Sequence, residues 1–466
     1  MRIRAGCLAA VLSFLPVAWS AVPKPADWVP VRWPFQDARS LELLSGTPVN
    51  CLLLKTYPMD FVAAASGRGL VTLAVLSPSG DVVAAARQAI AAKVTGIVME
   101  GDFAEGAASA VREAIDGAPV VELLARNRLR LDSTAPIMGS WQGVWPGVSA
   151  QDDGHQKAGP TGSVWIDTNT GFLRALHAWG DATLWIANVP PANTVVTASR
   201  YLQAIADAGM SGARWVVAFD TDFAQRLHAS DAAALRDWHR MADLMAFFES
   251  HSDWRHMQPY GQLALVQDPS KGGLLSGGIL DMIAVKHTPV RPIPRQHLSP
   301  QSLAGATMAV NVDADSLSPE QKETLRDFTR AGNTLLTGPP GWKDEGGAGG
   351  GITLDKAQLD RLNDIWRDMN SIVGRRNLGV RLFNVATMLS NAVVSADGKT
   401  VVVELVNYSD YPVSNVTVHF LGNYKKATLL SPDGAEKALA LYSNEEGGGG
   451  VDIDRVGVCA AIRLEQ

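Results

Sequence analysis

The sequence is poor in the residues that most often announce a chemistry. Three cysteines occur in 466 residues, with no Cys-x-x-Cys and no Cys/His spacing, which argues against a zinc or iron–sulfur module and against a disulfide-stapled scaffold. The nine histidines form no His-x-His and no His-Glu-x-x-His, so a metal-dependent hydrolase has no motif behind it. Asp152, Asp153 and His155 alone have a spacing that suits a divalent ion, without further ligands, and no metal or cofactor is expected. Gly-x-Gly-x-x-Gly and the Gly-Lys-Ser/Thr ending of a phosphate loop are missing, so the glycine runs at 346–351 and 447–450 read as surface loops. Net charge is -6 and no Lys/Arg run occurs, which argues against nucleic acid and against an anionic membrane surface as partners.

Long apolar runs are scarce too. The one at the N-terminus follows two arginines, is too short to cross a bilayer, and ends in small residues at Ala18 and Ser20. Residues 1–20 are therefore expected to be a cleaved export signal, placing the mature chain in the periplasm or outside the cell with no membrane anchor. Cys7 leaves with that signal. Cys51 and Cys459 remain, each in an apolar strand, and are expected as buried thiols.

What is present is an ordinary core, 47% hydrophobic, arranged in a β/α rhythm from Trp28 onward. Eight apolar runs read as strands: Val29 to Pro34, Asn50 to Leu54, Leu70 to Leu76, Gly96 to Glu100, Pro119 to Leu123, Ser163 to Asp167, Thr183 to Asn188 and Arg214 to Asp220. Helical patterns separate them, and a long one runs from Asp231 to Ser250. This predicts an α/β fold, a (β/α)8 TIM barrel over residues 21–256. An alternative register promotes Pro136 to Gly139 to a strand and drops Val29 to Pro34, which contains proline.

The rhythm then restarts on a smaller scale. Residues 257–374 read as a flavodoxin-like α/β domain, with strands at Gln262 to Asp268, Thr307 to Val312 and Thr334 to Gly338. Helices are expected at Ser276 to Lys286, at Ser318 to Ala331 with Gln321 closing a capping box, and at Leu354 to Val373. Lacking a nucleophile or a nucleotide motif, this domain is expected to be structural or to join copies of the chain into a homo-oligomer. Residues 375–466 alternate short strands with turns, and read as a small antiparallel β-sandwich domain.

One stretch stands apart. Pro136 to Gly171 carries Trp141, Trp145 and Trp165 among proline, glycine and polar residues, with no period until its end. Indoles on a polar loop either pin it to the body or line a cleft for a flat, half-apolar ligand such as a sugar ring.

The order of domains resembles the three-domain layout of the family 42 β-galactosidases. The residues that carry the likeness are YGQLALVQD at 260–268, TLLTGPPGW at 334–342 and VVVELVNYSDYPVSNVTV at 401–418. That family places one catalytic glutamate after barrel strand four and another after strand seven. This chain departs from it: Asn188, followed by Val-Pro-Pro, closes the seventh candidate strand.

Sites of such barrels lie at the C-terminal ends of the strands. Glu100 ends the fourth candidate strand, Asp167 the sixth and Asp220 the eighth, each after an apolar run where a carboxylate is costly unless paired or functional. Glycoside cleavage needs two carboxyl groups, and Asp167 as general acid/base with Glu100 as nucleophile or base is the expected pair, with roles interchangeable. Each of these carboxylates has an alternative account as a helix cap or an ion-pair partner. Trp141 and Trp145 are the expected stacking platforms, and Gln142, Asn169, Asn188, Asp220 and Lys55 the expected binders of a carbohydrate. A glycoside hydrolase-like protein is the leading expectation. A non-catalytic carbohydrate-binding or scaffold protein on a degenerate barrel is the competing one.

Overall fold

The computed structural model describes residues 23–130, 133–148, 166–267, 288–311, 317–337, 376–443 and 448–466, with short pieces between 364 and 374. The first 22 residues, with the expected export signal, lie outside this set, as do Asp152, Asp153, His155 and Trp165.

The N-terminal body is a closed barrel of eight parallel strands. Six follow one another in sequence: β1 (Pro30–Arg32), β2 (Cys51–Leu54), β3 (Val71–Leu76), β4 (Gly96–Glu100), β5 (Val120–Leu124) and β6 (Ile137–Ser140). Then come two strands outside the barrel, β7 (Gly147–Val148) and β8 (Ile166–Asp167), and the last two inside it, β9 (Thr183–Ala187) and β10 (Arg214–Ala218). β10 pairs with β1 and closes the ring. Both faces of each strand are covered, which is why runs such as Cys-Leu-Leu-Leu at 51–54 are apolar throughout. Leu53, Leu73, Val98 and Val216 point inward onto Trp28 and Trp185, while Leu52, Ala74, Ile97 and Val217 point outward to the helices.

Those helices are α1 (Met59–Gly67), α2 (Val82–Ala91), α3 (Ala107–Ala114), α4 (Thr170–His177), α5 (Ala198–Met210), α6 (Thr221–His228) and α7 (Ala232–Ser250). Aspartates start three of them: Asp81, Asp220 and Asp231 each accept from a backbone N–H of the first turn.

The count of eight agrees with the sequence, but its membership does not. Ile166–Asp167 is not a barrel strand; it pairs antiparallel with Gly147–Val148 in a two-stranded ribbon. The sixth barrel strand is Ile137–Ser140, parallel to both β5 and β9. Gly139 conceals it. In register with Leu123 and Trp185, it sits where a Cβ would run into the end of the Leu123 side chain, so packing against Leu123 favours glycine inside this strand. β1 also stays, because Pro30 occupies its first position and costs the ladder little.

The second body is a parallel sheet. After β11 (Gln258–Pro259) come β12 (Leu263–Gln267), β13 (Val290–Pro294), β14 (Met308–Asn311) and β15 (Thr334–Thr337), in the order β13-β12-β14-β15. Helix α8 (Pro319–Arg330) packs on it, and its capping box is formed by Ser318 and Gln321. The expected helix at 276–286 falls outside the described residues, and most of that at 354–373 does too.

The C-terminal body is a sandwich of two antiparallel sheets built from β16 (Val380–Phe383), β17 (Met388–Val394), β18 (Thr400–Asn407), β19 (Val413–Leu421), β20 (Lys426–Ser431), β21 (Gly434–Leu439), β22 (Tyr442–Ser443), β23 (Gly448–Val456) and β24 (Cys459–Glu465). The orders are β11-β17-β18-β24-β20-β21 and β16-β19-β23-β22, so β11 joins the larger sheet. One core holds both together, with Val401, Val403 and Ile462 facing Val418, Phe420 and Ile453. Leu389, Val406, Tyr408 and Cys459 of the sandwich pack into the barrel's outer core, and polar contacts add to them: Arg174 donates to Val290 O of the second body, Asn391 Nδ2 to Met210 O at 3.0 Å, and Gln203 Nε2 to Ser409 O at 3.1 Å.

Candidate active site

Alternation along the strands brings Arg32 and Glu100 to the C-terminal mouth of the barrel, since Val31 and Met99 before them face the helices. The two form a bidentate ion pair. Arg32 Nη1 donates to Glu100 Oε2 at 2.9 Å and Nη2 donates to Oε1. The side chains are 10% and 22% exposed, so the pair is largely withdrawn from water, and Arg32 Nε is buried without a hydrogen-bond partner. Glu100 therefore reaches the strand end that the sequence predicts.

Beside Arg32 opens a cleft of about 710 Å3, walled by the ends of β1, β2 and β10 and by the loop from Val189 to Val195; Glu100 stands behind Arg32 and does not line it. Arg32, Trp33, Lys55, Asp220 and Asp222 line it. Lys55 is exposed and has no ion-pair partner among the described residues. Asp222 pairs with Arg226 at 2.8 Å. Val189 and Val195 expose 45% and 63% of their surface here, and an apolar rim over charged groups is the composition of a site for an amphipathic ligand.

The other expected residues are placed differently. Asp220 is buried and committed: Phe223 N and Val196 N donate to its carboxylate at 2.9 and 3.1 Å, and Tyr201 Oη donates at 2.9 Å. Burial raises the Tyr201 phenol far above its ordinary range, which keeps it a donor. Asn169 is fully buried. Its Oδ1 accepts from Arg126 Nη2 and Val144 N, and its Nδ2 donates to Val144 O and Asp207 Oδ2. Gln142 accepts from Arg126 N at 2.8 Å, and Asn188 Nδ2 donates to Gly143 O at 2.6 Å. These four side chains hold loops together.

The two indoles divide. Trp141 packs against the barrel interior, with Nε1 buried and unpartnered. Trp145 sets its edge against Tyr201 and Trp215 at 5.5 and 5.1 Å, and pins the loop between the barrel and α5. Neither borders the mouth cleft. Asp167 lies on the connection that leaves β6 at the C-terminal face, its backbone paired with Gly147; its side chain is outside the described residues.

Three groups escape a strand-end search. Arg32 is one, because its partner lies 68 residues away and meets it only when the barrel closes. Asp207 is fully buried in α5 and accepts from Thr168, Asn169 and Tyr408; burial pushes its carboxyl up against the pull of those donors. A lone carboxylate in YLQAIADAGM, a helix apolar nearly all round, is the signal that points to it. Glu404 is the third, buried under the barrel and pushed up to about 8 by desolvation. Among the described residues no group of His, Cys, Asp and Glu is arranged to hold a metal ion.

No family model matches the chain, and no curated protein matches it in sequence. Among solved structures it is similar to alpha-L-fucosidase isoenzyme 2 from Paenibacillus thiaminolyticus, with a TM-score of 0.59 and 10% identity over 95% of this chain and 98% of that one. A xyloglucanase of glycoside hydrolase family 44 from Paenibacillus polymyxa matches at 10% identity and a TM-score of 0.28, over 95% and 96% of the two chains. A maltogenic alpha-amylase from Thermotoga neapolitana matches at 11% and 0.24, over 95% and 99%. These structural neighbours are glycoside hydrolases. At such identity the fucosidase likeness speaks for the fold, and the other two superpose too poorly to add to it.

Proposed function

We propose that this chain is an exported glycoside hydrolase-like protein that cleaves a glycosidic bond of an oligo- or polysaccharide at the C-terminal mouth of its barrel. The observation that carries this reading is Glu100, a carboxylate at the end of the fourth barrel strand, held in one orientation by Arg32, which itself lines a cleft of about 710 Å3. Val189 and Val195 offer apolar surface to a ring, and Lys55 and Asp222 offer polar groups to its hydroxyls. The name of the fucosidase that shares the fold supports a glycoside as substrate. The family 42 likeness is kept at the level of domain order.

Asp167 remains our choice of general acid/base, delivered by the loop after the sixth strand, with Glu100 as nucleophile or base. One group protonates the leaving oxygen while the other attacks the anomeric carbon or takes a proton from the attacking water. Aryl glycosides of common sugars, assayed with wild type, Glu100→Gln and Asp167→Asn, test this. Each substitution is expected to lower kcat by about a hundredfold or more. Turnover that survives both would remove the assignment.

A second reading, a carbohydrate binder on a barrel that has lost catalysis, is favoured by one observation: Arg32 occupies both oxygens of Glu100. It predicts saturable oligosaccharide binding with no turnover of any glycoside.

A further inference from the structure

A second cleft, of about 780 Å3, lies where the first turn of α5 and the middle of α7 meet the turns of the sandwich. It shares no lining residue with the mouth cleft, and the two flank one segment: Val189 to Val195 walls the first, and Ala198 to Leu202 the second. Tyr411 stands at its edge, 74% exposed, the most exposed large hydrophobic side chain among the described residues.

The loop that presents Tyr411 is held at many points. Its carbonyl accepts from Asn407 Nδ2 at 2.8 Å and from Ser409 Oγ at 2.6 Å. Asn407 Oδ1 accepts from Ser409 N and Oγ, and Asn407 Nδ2 also donates to Gly457 O. Ser409 O accepts from Gln203 of α5 at 3.1 Å, which fixes the loop to the barrel. A solvated ring has no need of such a frame. Fixed backbone under an exposed aromatic ring is the arrangement that lowers the entropy cost of stacking a ligand on it. Around the ring, Arg240 and Arg455 stand among Asp243, Asp410 and Asp433, so the wall mixes both signs with a slight acidic excess, which disfavours an anion.

We propose that this cleft is a second glycan-binding site, in which Tyr411 stacks on the apolar face of a neutral sugar ring and Asp410, Asp433 and Arg455 take its hydroxyls. The proposal rests on the reading of the chain as glycan-acting and sharpens it. A chain that crosses the segment from Val189 to Leu202 engages both clefts, so the favoured substrate is a polymer or long oligomer.

Affinity electrophoresis of the full chain in gels cast with soluble xyloglucan, arabinoxylan, mixed-linkage β-glucan, galactan or starch tests it. In at least one gel the wild type is expected to be retarded. Tyr411→Ala is expected to weaken that retardation about tenfold, and Tyr411→Phe to restore it. An unchanged thermal midpoint of Tyr411→Ala excludes misfolding. Retardation of Tyr411→Ala equal to wild type overturns the proposal, as does a wild type that no polysaccharide retards. Wild-type turnover of aryl glycosides reads the hydrolase proposal separately. Turnover without retardation removes the second site alone; Tyr411-dependent retardation without turnover removes the hydrolase and leaves a binder.

Discussion

The Tyr408 hydroxyl, on the sandwich, donates to Asp207 Oδ1, on helix α5 of the barrel, at 2.7 Å. The same carboxylate accepts from Asn169 N and Nδ2 at 3.0 and 2.8 Å and from Thr168 Oγ1, so it ties the loop after β6 to the C-terminal body. Tyr408→Phe is expected to lower stability by about 1.5–3 kcal/mol, the usual worth of a hydrogen bond to a charged group. Asp207→Asn is expected to cost more, because its amide would set donors against donors. Urea unfolding midpoints check both, and a harmless Asp207→Asn would contradict the network.

Glu404 makes the docking of sandwich and barrel sensitive to pH. Its carboxyl accepts from Asn391 Nδ2 at 3.1 Å, and burial lifts it from 4.5 to about 8, against the opposing pull of Asn391 and Arg174. A raised carboxyl pKa means that the folded state holds the proton more tightly than the unfolded one. The stability this gives is complete below 4.5 and is lost as pH rises through about 8. The loss is expected to be on the order of a few kcal/mol. Glu404→Gln should flatten this limb and exceed wild type in thermal midpoint above about pH 8. A limb of unchanged slope in that variant would assign the dependence to another group.

The Arg32–Glu100 pair gives a third expectation. Arg32→Met strands a carboxylate in the barrel mouth and is expected to cost about 2–4 kcal/mol, whereas Arg32→Met with Glu100→Leu should recover most of that. A double-mutant cycle by urea unfolding measures the coupling, and equal losses in the single and double variants would show that the pair is not the cause.

Trp145→Ala removes the edge contacts to Tyr201 and Trp215. The expected cost is about 2–4 kcal/mol, with faster proteolytic cleavage near 141–148 under native conditions. Cleavage at the wild-type rate would mean that other contacts hold the loop.

The barrel was legible because parallel strands buried on both faces are continuous apolar runs, and runs such as Leu52 to Leu54 and Val216 to Ala218 leave no other reading. The sixth strand was not, because Gly139 answers to Leu123, which only the closed barrel brings beside it. The run before Asp167 looked more like a strand than PIMGS does, and local pattern carries no record of partners. Glu100 was found from its place after an apolar run, but Arg32 was not, since charge pairing across a barrel is a property of closure. Asp220 and Asn169 illustrate the opposite case: the right residue types near the strand ends, whose hydrogen-bonding capacity turns out to be spent on the frame.

Cys51 lies fully buried in the barrel interior and Cys459 is buried at the seam where the sandwich packs on the barrel's outer core, neither in a disulfide. Burial raises both thiols well above their ordinary range, so neither forms appreciable thiolate in the folded chain. Cys51 thus reports on the barrel interior and Cys459 on the seam between barrel and sandwich. The rate at which iodoacetamide modifies each cysteine, followed by peptide mass, times the opening of the barrel interior and of that seam in one unmodified molecule, and unequal rates would reveal which gives way first.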